Sequence, residues 1–569
     1  MSASLPEVPP AEPKQGVLRA LVTDRFLHDV LITAFFYSIV RLLLFPNIPA
    51  MGRPLQLPFE AYQGASIVMA ALKNPAFVAL AGSGLLALFL DQIPGKWNPF
   101  FGRVAWDDFP PRTGLIVMGI CLPMMWSLST YDVNLLFDQV HAADRILVFV
   151  LWLAMGRNPA FAPIWLAVAA VVAEQFKYPD CMHATWADKA LMLYVPLLVW
   201  VSFVVSRFRK TSPWLFPALL LCHWASFYVY PAFAKLVLGD TPWTWLLQNG
   251  VNDLFVASHL NGWLPNLSDA QVEEMAQTMA KTDIVIQFVT LAIELSPLLI
   301  LWKRRYAMAV VAACACLHIG IFVTTGICFW EWITVNLVLI WALRGPWSKE
   351  PVADMFNARF RLLSGLLIAC ALPVFWPYPL AWFDTNYNVV YDLELEDAEG
   401  TRYQLRREYM DPFHGQHMQS RFFYVDPRPN LPVHTYSAVV DQSLFEALDQ
   451  VETLEELTAL HDQRAVVRFD AVLRDQYVAY IQTYFANLNQ RGGHKSVVPG
   501  WLQAPHHHKG FGGTWPSEAP WSEITSVRVI ATDVFWNGQD LHRLRTDEVL
   551  LIEIPAASPP YQTLLEAGD

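Results

Sequence analysis

Residues 214–240 read WLFPALLLCHWASFYVYPAFAKLVLGD. A stretch this long and apolar suits a bilayer-crossing helix, which needs about 20 residues at 1.5 Å each. It closes on Lys235, and an ionisable side chain inside such a segment is a functional candidate by default.

Ten further apolar stretches lie near 27–46, 75–92, 113–130, 143–156, 160–176, 189–207, 283–302, 306–326, 328–344 and 361–382. With 214–237 they make eleven expected spans, those near 143–156 and 160–176 short enough to be broken or re-entrant. Lys and Arg cluster in the short loops as Lys14, Arg19 and Arg25; Lys96, Arg103 and Arg112; Arg207, Arg209 and Lys210; Lys303, Arg304 and Arg305; and Arg344, Lys349 and Arg359. Eleven spans put all five clusters on one side, and the positive-inside bias makes that side cytoplasmic. The first 26 residues lack the pattern of a cleavable signal peptide, so the first span is expected to stay as an anchor.

Composition agrees with this reading. Hydrophobic residues are 54% of the 569, and charged residues 16%, against roughly 25% in soluble domains. The mean hydropathy is +0.30, and 23 Trp and 35 Phe suit lipid interfaces. From Phe383 onward 14 Lys+Arg face 27 Asp+Glu, a net of −13, while the preceding part has 25 against 24. The acidity therefore belongs to the tail, and no basic patch points to nucleic acid. All seven Cys precede the tail and none forms a CxxC pair. Cys314 and Cys316 would face different ways on a helix, as packing residues do.

The tail reads as α+β. NVVYDLELEDAEGTRYQLR looks like two strands around an acidic Gly turn, and SVRVIATDVFW and EVLLIEI add two more. SLFEALDQVETLEELTALHDQ and RFDAVLRDQYVAYIQTYFANL have helical spacing. In the outer loop, TPWTWLLQNGVNDL reads as a Trp-anchored interfacial segment, and Ser268 or Asp269 caps a helix. The expected fold is an all-α polytopic membrane bundle of about eleven spans, N-in and C-out, with a C-terminal extracytoplasmic α+β domain. Its parts are a cytoplasmic segment 1–26, the transmembrane bundle 27–382 and the acidic outer domain 383–569. The expected location is a bacterial inner membrane or its equivalent.

Each polar residue in the spans has two readings. Lys235 either snorkels to the interface or sits in an apolar pocket that favours the neutral amine, able to act as a base. Trp224, Tyr228, Pro231 and Lys235 share one helical face, giving the amine an aromatic wall. Glu294, mid-span and followed by Pro297, is either a carboxyl that stabilises packing or part of the site. His318 is either a hydrogen-bonded core residue or a catalytic one. Glu331, after a turn, is either interfacial or joins Trp224 and Tyr228 in lining a cofactor pocket. His183 and Asp188 read as loop chemistry. His223 is about 18 Å from Lys235 along a helix, too far for contact. The HHH at 506–508 lacks convergent metal-ligand geometry and reads as an exposed polar loop, and the HxxH at 414–417 is equally weak. No metal site is expected, and no HExxH, Walker A, GxGxxG or GxSxG motif stands in context.

Three segments in order carry a resemblance: FYVYPAFAKLVLGDTPWTWL, IVIQFVTLAIELSPLLILWKRRYAMAV and CACLHIGIFVTTGICFWEWITVNLVL. Together they resemble the HTTM membrane domain, the family containing vitamin K-dependent gamma-carboxylase and its bacterial relatives. The resemblance covers roughly residues 20–345 and is strongest from Cys222 to Leu343. It implies a quinol-dependent membrane enzyme, a carbon–carbon lyase by class. In such an enzyme a membrane lysine deprotonates a reduced, vitamin K-like quinone, and oxygen chemistry then drives proton abstraction from protein glutamate and carboxylation. Lys235 matches the catalytic lysine, His318 a histidine that positions quinol or an oxygen intermediate, and Glu294 an acidic residue common in bacterial members. The implied partners are the lipid bilayer, a lipophilic quinone and a protein or peptide substrate at the outer domain. The acidic tail departs from the family's substrate-gripping domain, and its charge would repel Glu-rich peptides.

Two other classes stay open. One is a DoxX/DoxD-like quinone oxidoreductase partner that binds quinone without base chemistry. The other is a non-catalytic membrane scaffold presenting its acidic outer domain.

Overall fold

The structure is a computed structural model that describes residues 24–44, 71–93, 104–131, 142–175, 189–348, 355–406, 409, 422–493, 498–507, 512–515 and 520–556. The N-terminal segment through residue 23, Lys96, Arg103, Lys349, the loop with His183 and Asp188, the HxxH at 414–417, and His508 lie outside the described residues.

The chain is mostly helical up to the tail. The helices are α1 (Arg25–Leu44), α2 (Pro75–Asp91), α3 (Thr113–Thr130), α4 (Ala142–Arg157), α5 (Phe161–Gln175), α6 (Ala190–Arg209) and α7 (Leu215–Val237). The long loop after α7 holds α8 (Thr244–Gln248), α9 (Val251–Leu260) and α10 (Asp269–Ala280). Then come α11 (Asp283–Leu295), α12 (Arg304–Thr325), α13 (Trp330–Arg344), α14 (Ala358–Ala369) and the short α15 (Leu372–Phe375). Ser268, not Asp269, caps α10, in a capping box with Gln271.

Among the described residues five helices are long and apolar enough to cross a membrane: α1, α3, α6, α7 and α12. A sixth results if α10 and the segment Asp283–Leu299, bent by 65°, count as one span. The expected count of eleven is not reached. The stretches near 75–92, 143–156, 160–176 and 328–344 form helices of 17, 16, 15 and 15 residues. Fifteen residues extend about 22 Å, short of a hydrocarbon core of about 30 Å. The stretch 283–302 is interrupted after Leu295 by a tighter turn, Ser296–Leu299, that carries Pro297. The stretch 361–382 stops at Ala369 and resumes only as α15, after which Trp376 takes a left-handed backbone conformation.

The outward faces suit lipid all the same. Phe35, Phe36 and Leu43 on α1, Leu85 and Phe89 on α2, Ile146 and Val150 on α4, and Leu362 and Leu366 on α14 are exposed. So many large apolar side chains on one surface mark contact with something other than water. Inside, backbones approach closely: a Cβ on Gly84 in α2 would collide with the Ala160 carbonyl at the start of α5, the small-residue packing common between membrane helices.

Basic residues gather at one end of the bundle. Arg25 Nη2 donates to the carbonyls of Arg209 and Lys210 at 2.6 and 3.1 Å. Arg209 pairs with Asp29 at 3.0 Å, Arg359 with Asp24 at 3.7 Å, and Arg207 with Asp108.

The tail forms an antiparallel sheet packed with helices. Its strands are β1 (Phe383–Asp384), β2 (Tyr387–Asp397), β3 (Arg402–Gln404), β4 (Ala438–Val439), β5 (Ile524–Trp536) and β6 (Leu541–Glu553), in the order β3-β2-β5-β6, with β1 paired to β4 separately. The turn between β2 and β3 is held by Asp397, whose Oδ1 accepts from the N–H groups of Glu399 and Thr401, and by Gly400 at φ 77°. Both stretches read as helical fold so, as α16 (Gln442–Asp449), α17 (Leu454–Arg464) and α18 (Ala471–Gln490). The α+β character of the tail and the membrane-type bundle therefore stand.

Candidate functional site

Helix α7 supplies the centre. It is almost wholly enclosed by its neighbours, with 89% of its apolar window buried. Pro231 removes one internal hydrogen bond a turn before Lys235. The Lys235 ammonium lies 2.6 Å from both Glu294 oxygens. The two side chains are only 13% and 11% exposed. The Trp245 ring stands 5.1 Å from the amine, a cation–π distance. The lysine is thus half-buried, with Glu294 as its partner.

Trp224 and Tyr228 do line one face of α7, and both are buried. Asn336 of α13, fully buried, binds them together: its Oδ1 accepts from Trp224 Nε1 at 2.9 Å and its Nδ2 donates to Tyr228 Oη at 2.9 Å. Tyr228 Oη lies 3.5 Å from His318 Nδ1, with the two rings stacked at 5.5 Å. His318 also stacks on Phe329 at 5.0 Å. It therefore joins the site through Tyr228, which itself lies within electrostatic range of Glu294.

Glu331 sits in the first turn of α13, which the tail covers. It is wholly buried and paired with Lys189 at 2.7 Å, while His507 Nδ1 stands 3.6 Å from its other oxygen. The expectation of an exposed loop at 506–508 fails at His507, whose side chain is 17% exposed and whose ring meets Phe329 edge-on at 4.9 Å. A buried carboxylate requires polar company, and the tail supplies part of it. His223 packs instead among Tyr37, Tyr194, Phe227 and Phe375, away from Lys235.

Several residues of the neighbourhood carried a signal that went unread. Helix α11 buries Asp283, Gln287, Leu291 and Glu294 while exposing Ile284, Val285, Phe288 and Val289, so its polar stripe faces inward. Gln287 donates to the Asn249 carbonyl. Asn249 in turn donates to Asp384 Oδ2 at 3.0 Å, and Trp382 Nε1 donates to Oδ1 at 3.0 Å. Trp245 Nε1 donates to the Trp382 carbonyl at 3.0 Å, which links this junction to the Lys235 pair. Burial pushes the Asp384 carboxyl up to about 7, its two donors only partly offsetting the lost hydration. Burial, with Asp384, Asp283 and Asp449 nearby, also raises Asp253 well above the carboxylate range.

A cavity of about 200 Å³ is lined by His259, Asn261 and Gly262 after α9 and by Asp392, Gln404 and Gly512 of the tail. Among the described residues no three His, Cys, Asp or Glu side chains are arranged to hold a metal ion. Trp332 stands edge-on to Tyr228 at 5.5 Å, so that Trp224, Tyr228, Trp332, His318 and Phe329 form one aromatic cluster. Comparison with protein-family models, with curated proteins and with solved structures found no match.

Proposed function

We propose that this chain is an integral membrane enzyme of the HTTM type, similar to vitamin K-dependent gamma-carboxylase, in which the Lys235–Glu294 pair takes a proton from a lipid-borne hydroquinone. The observation that carries this reading is the buried pair, with both carboxylate oxygens 2.6 Å from the amine. An ionisable pair held inside an apolar bundle marks function more often than anchoring, and a general base needs a proton acceptor sheltered from bulk water. A bound reduced quinone would supply reducing equivalents for oxygen chemistry. Lys235 and Glu294 would receive the hydroxyl proton, Tyr228 and His318 would help to hold the ring, and Asn336 keeps Trp224 and Tyr228 together. Carboxylation of a glutamate side chain is the reaction the resemblance implies.

The orientation belongs to the same proposal. Arg25, Arg207, Arg209, Lys210 and Arg359 meet at one end of the bundle, which supports a shared cytoplasmic side. Eleven crossings keep these residues on that side and place the acidic domain outside, whereas one crossing fewer would return it to the cytoplasm. A reporter fused after Asp569 decides between them.

The activity test compares purified wild type with Lys235→Ala and Glu294→Gln for quinol epoxidation in detergent. Loss of about 10²-fold or more in Lys235→Ala is expected of a general base. Equal turnover would remove Lys235 from the mechanism. A second reading, a scaffold presenting the acidic domain, is favoured by the buried Asp384–Asn249 junction that ties tail to bundle. Under it Lys235→Ala is silent and deletion of 383–569 abolishes function.

A further inference from the structure

The tail segment Leu502–His507 lies across the outer end of the bundle. Trp126 Nε1 donates to the Leu502 carbonyl at 2.6 Å, the Ala504 N–H to Thr130 Oγ1 at 2.9 Å, and Tyr131 Oη to the Pro505 carbonyl at 3.0 Å. The Cys328 N–H donates to the His507 carbonyl at 2.6 Å. These four bonds fasten the segment to the C-terminal end of α3 and to the turn that leads into α13. At its end the His507 imidazole faces Glu331, whose other oxygen is held by Lys189. Phe329 stands between the two histidines, edge-on to His507 and stacked on His318.

We propose that the C-terminal domain completes the membrane site, with residues 502–507 as its cap and His507 as a positioning residue that holds His318 through Phe329 and Glu331. The contacts are independent of any chemistry, while the consequence for turnover rests on the proposed function. Two arguments favour a cap over a loop merely resting on the bundle. Glu331 is fully buried, and a buried carboxylate with one partner removed is strongly destabilised, so His507 is needed where it stands. Phe329 can keep the plane of His318 only while something backs its other side, since a buried ring without contact on one side loses dispersion attraction there.

The test uses the full-length protein in detergent, with diethyl pyrocarbonate as probe and mass spectrometry reading the rate of modification at His318. His507→Ala should raise that rate about tenfold, the factor that losing a latch of about 1.4 kcal/mol gives. His507→Gln keeps an N–H donor toward Glu331 and should return most of the protection. Trp126→Phe removes a cap bond on the bundle side without touching Glu331, and should raise the rate in the same direction. Wild-type rates in both His507→Ala and Trp126→Phe overturn the proposal. A raised His318 rate in a protein whose wild type turns over no quinol supports the cap and rejects the quinol reading alone.

Discussion

Lys235 and Glu294, 59 residues apart in the chain, meet with the ammonium nitrogen 2.6 Å from each carboxylate oxygen. Because both are nearly buried, removing one strands the other. Lys235→Met or Glu294→Leu alone should destabilise by about 3–5 kcal/mol, whereas the double variant should recover most of that loss. Thermal unfolding in one detergent, run as a double-mutant cycle, measures the coupling; additive losses would mean the two groups do not interact.

Asn336 serves one donor and one acceptor at once. Asn336→Leu leaves Trp224 Nε1 and Tyr228 Oη without their partner, and each stranded polar group costs about 1–3 kcal/mol. A fall in melting temperature together with a change in Trp fluorescence is expected. An unchanged midpoint would show that the two aromatic side chains find other partners.

Asp384 makes stability depend on pH. Its folded value of about 7 lies above an unfolded value of about 3.9, so the folded state holds the proton more tightly. The contribution is fully present below about pH 4 and is lost as pH rises through 7, at most roughly 4 kcal/mol for three units. Asp384→Asn should flatten the stability profile between those limits. Chemical denaturation at pH 4.5, 6 and 8 checks it, and parallel wild-type and variant curves would sink it.

Gly84 has no room for a side chain against the Ala160 carbonyl. Gly84→Val must push α2 off α5, an overpacking cost of about 1–3 kcal/mol or more. The expected result is a lower yield of monodisperse protein by size-exclusion chromatography, with Gly82→Val, where a Cβ meets nothing within 4 Å, as control.

The tail was legible because its periods are clean. Alternation in NVVYDLELED and SVRVIATDVFW becomes β2 and β5, and SVRVIATDVFW pairs with the strand it was read beside and also with β2. In the bundle, hydropathy finds apolar composition but not helix length, so the breaks after Leu295 and Ala369 turned expected spans into shorter pieces. Within the site, Lys235, Glu294, Trp224, Tyr228 and His318 stood out as polar or aromatic groups in apolar runs. Asn336 had the same signal in ITVNLVL. Lys189 and His507 had none, because their only mark is proximity to Glu331, set by folding across long stretches of chain.

Helix α11 turns its carboxylates and its amide toward the protein and its Ile, Val and Phe side chains outward. A segment built in that sense behaves as a one-way plug. Stripped of its oily surroundings, it gains by rolling over, which would bring Glu294 to solvent and pull it from Lys235. Purification that thins the surfactant belt should therefore erase the site before it melts the bundle, and added phospholipid should bring it back.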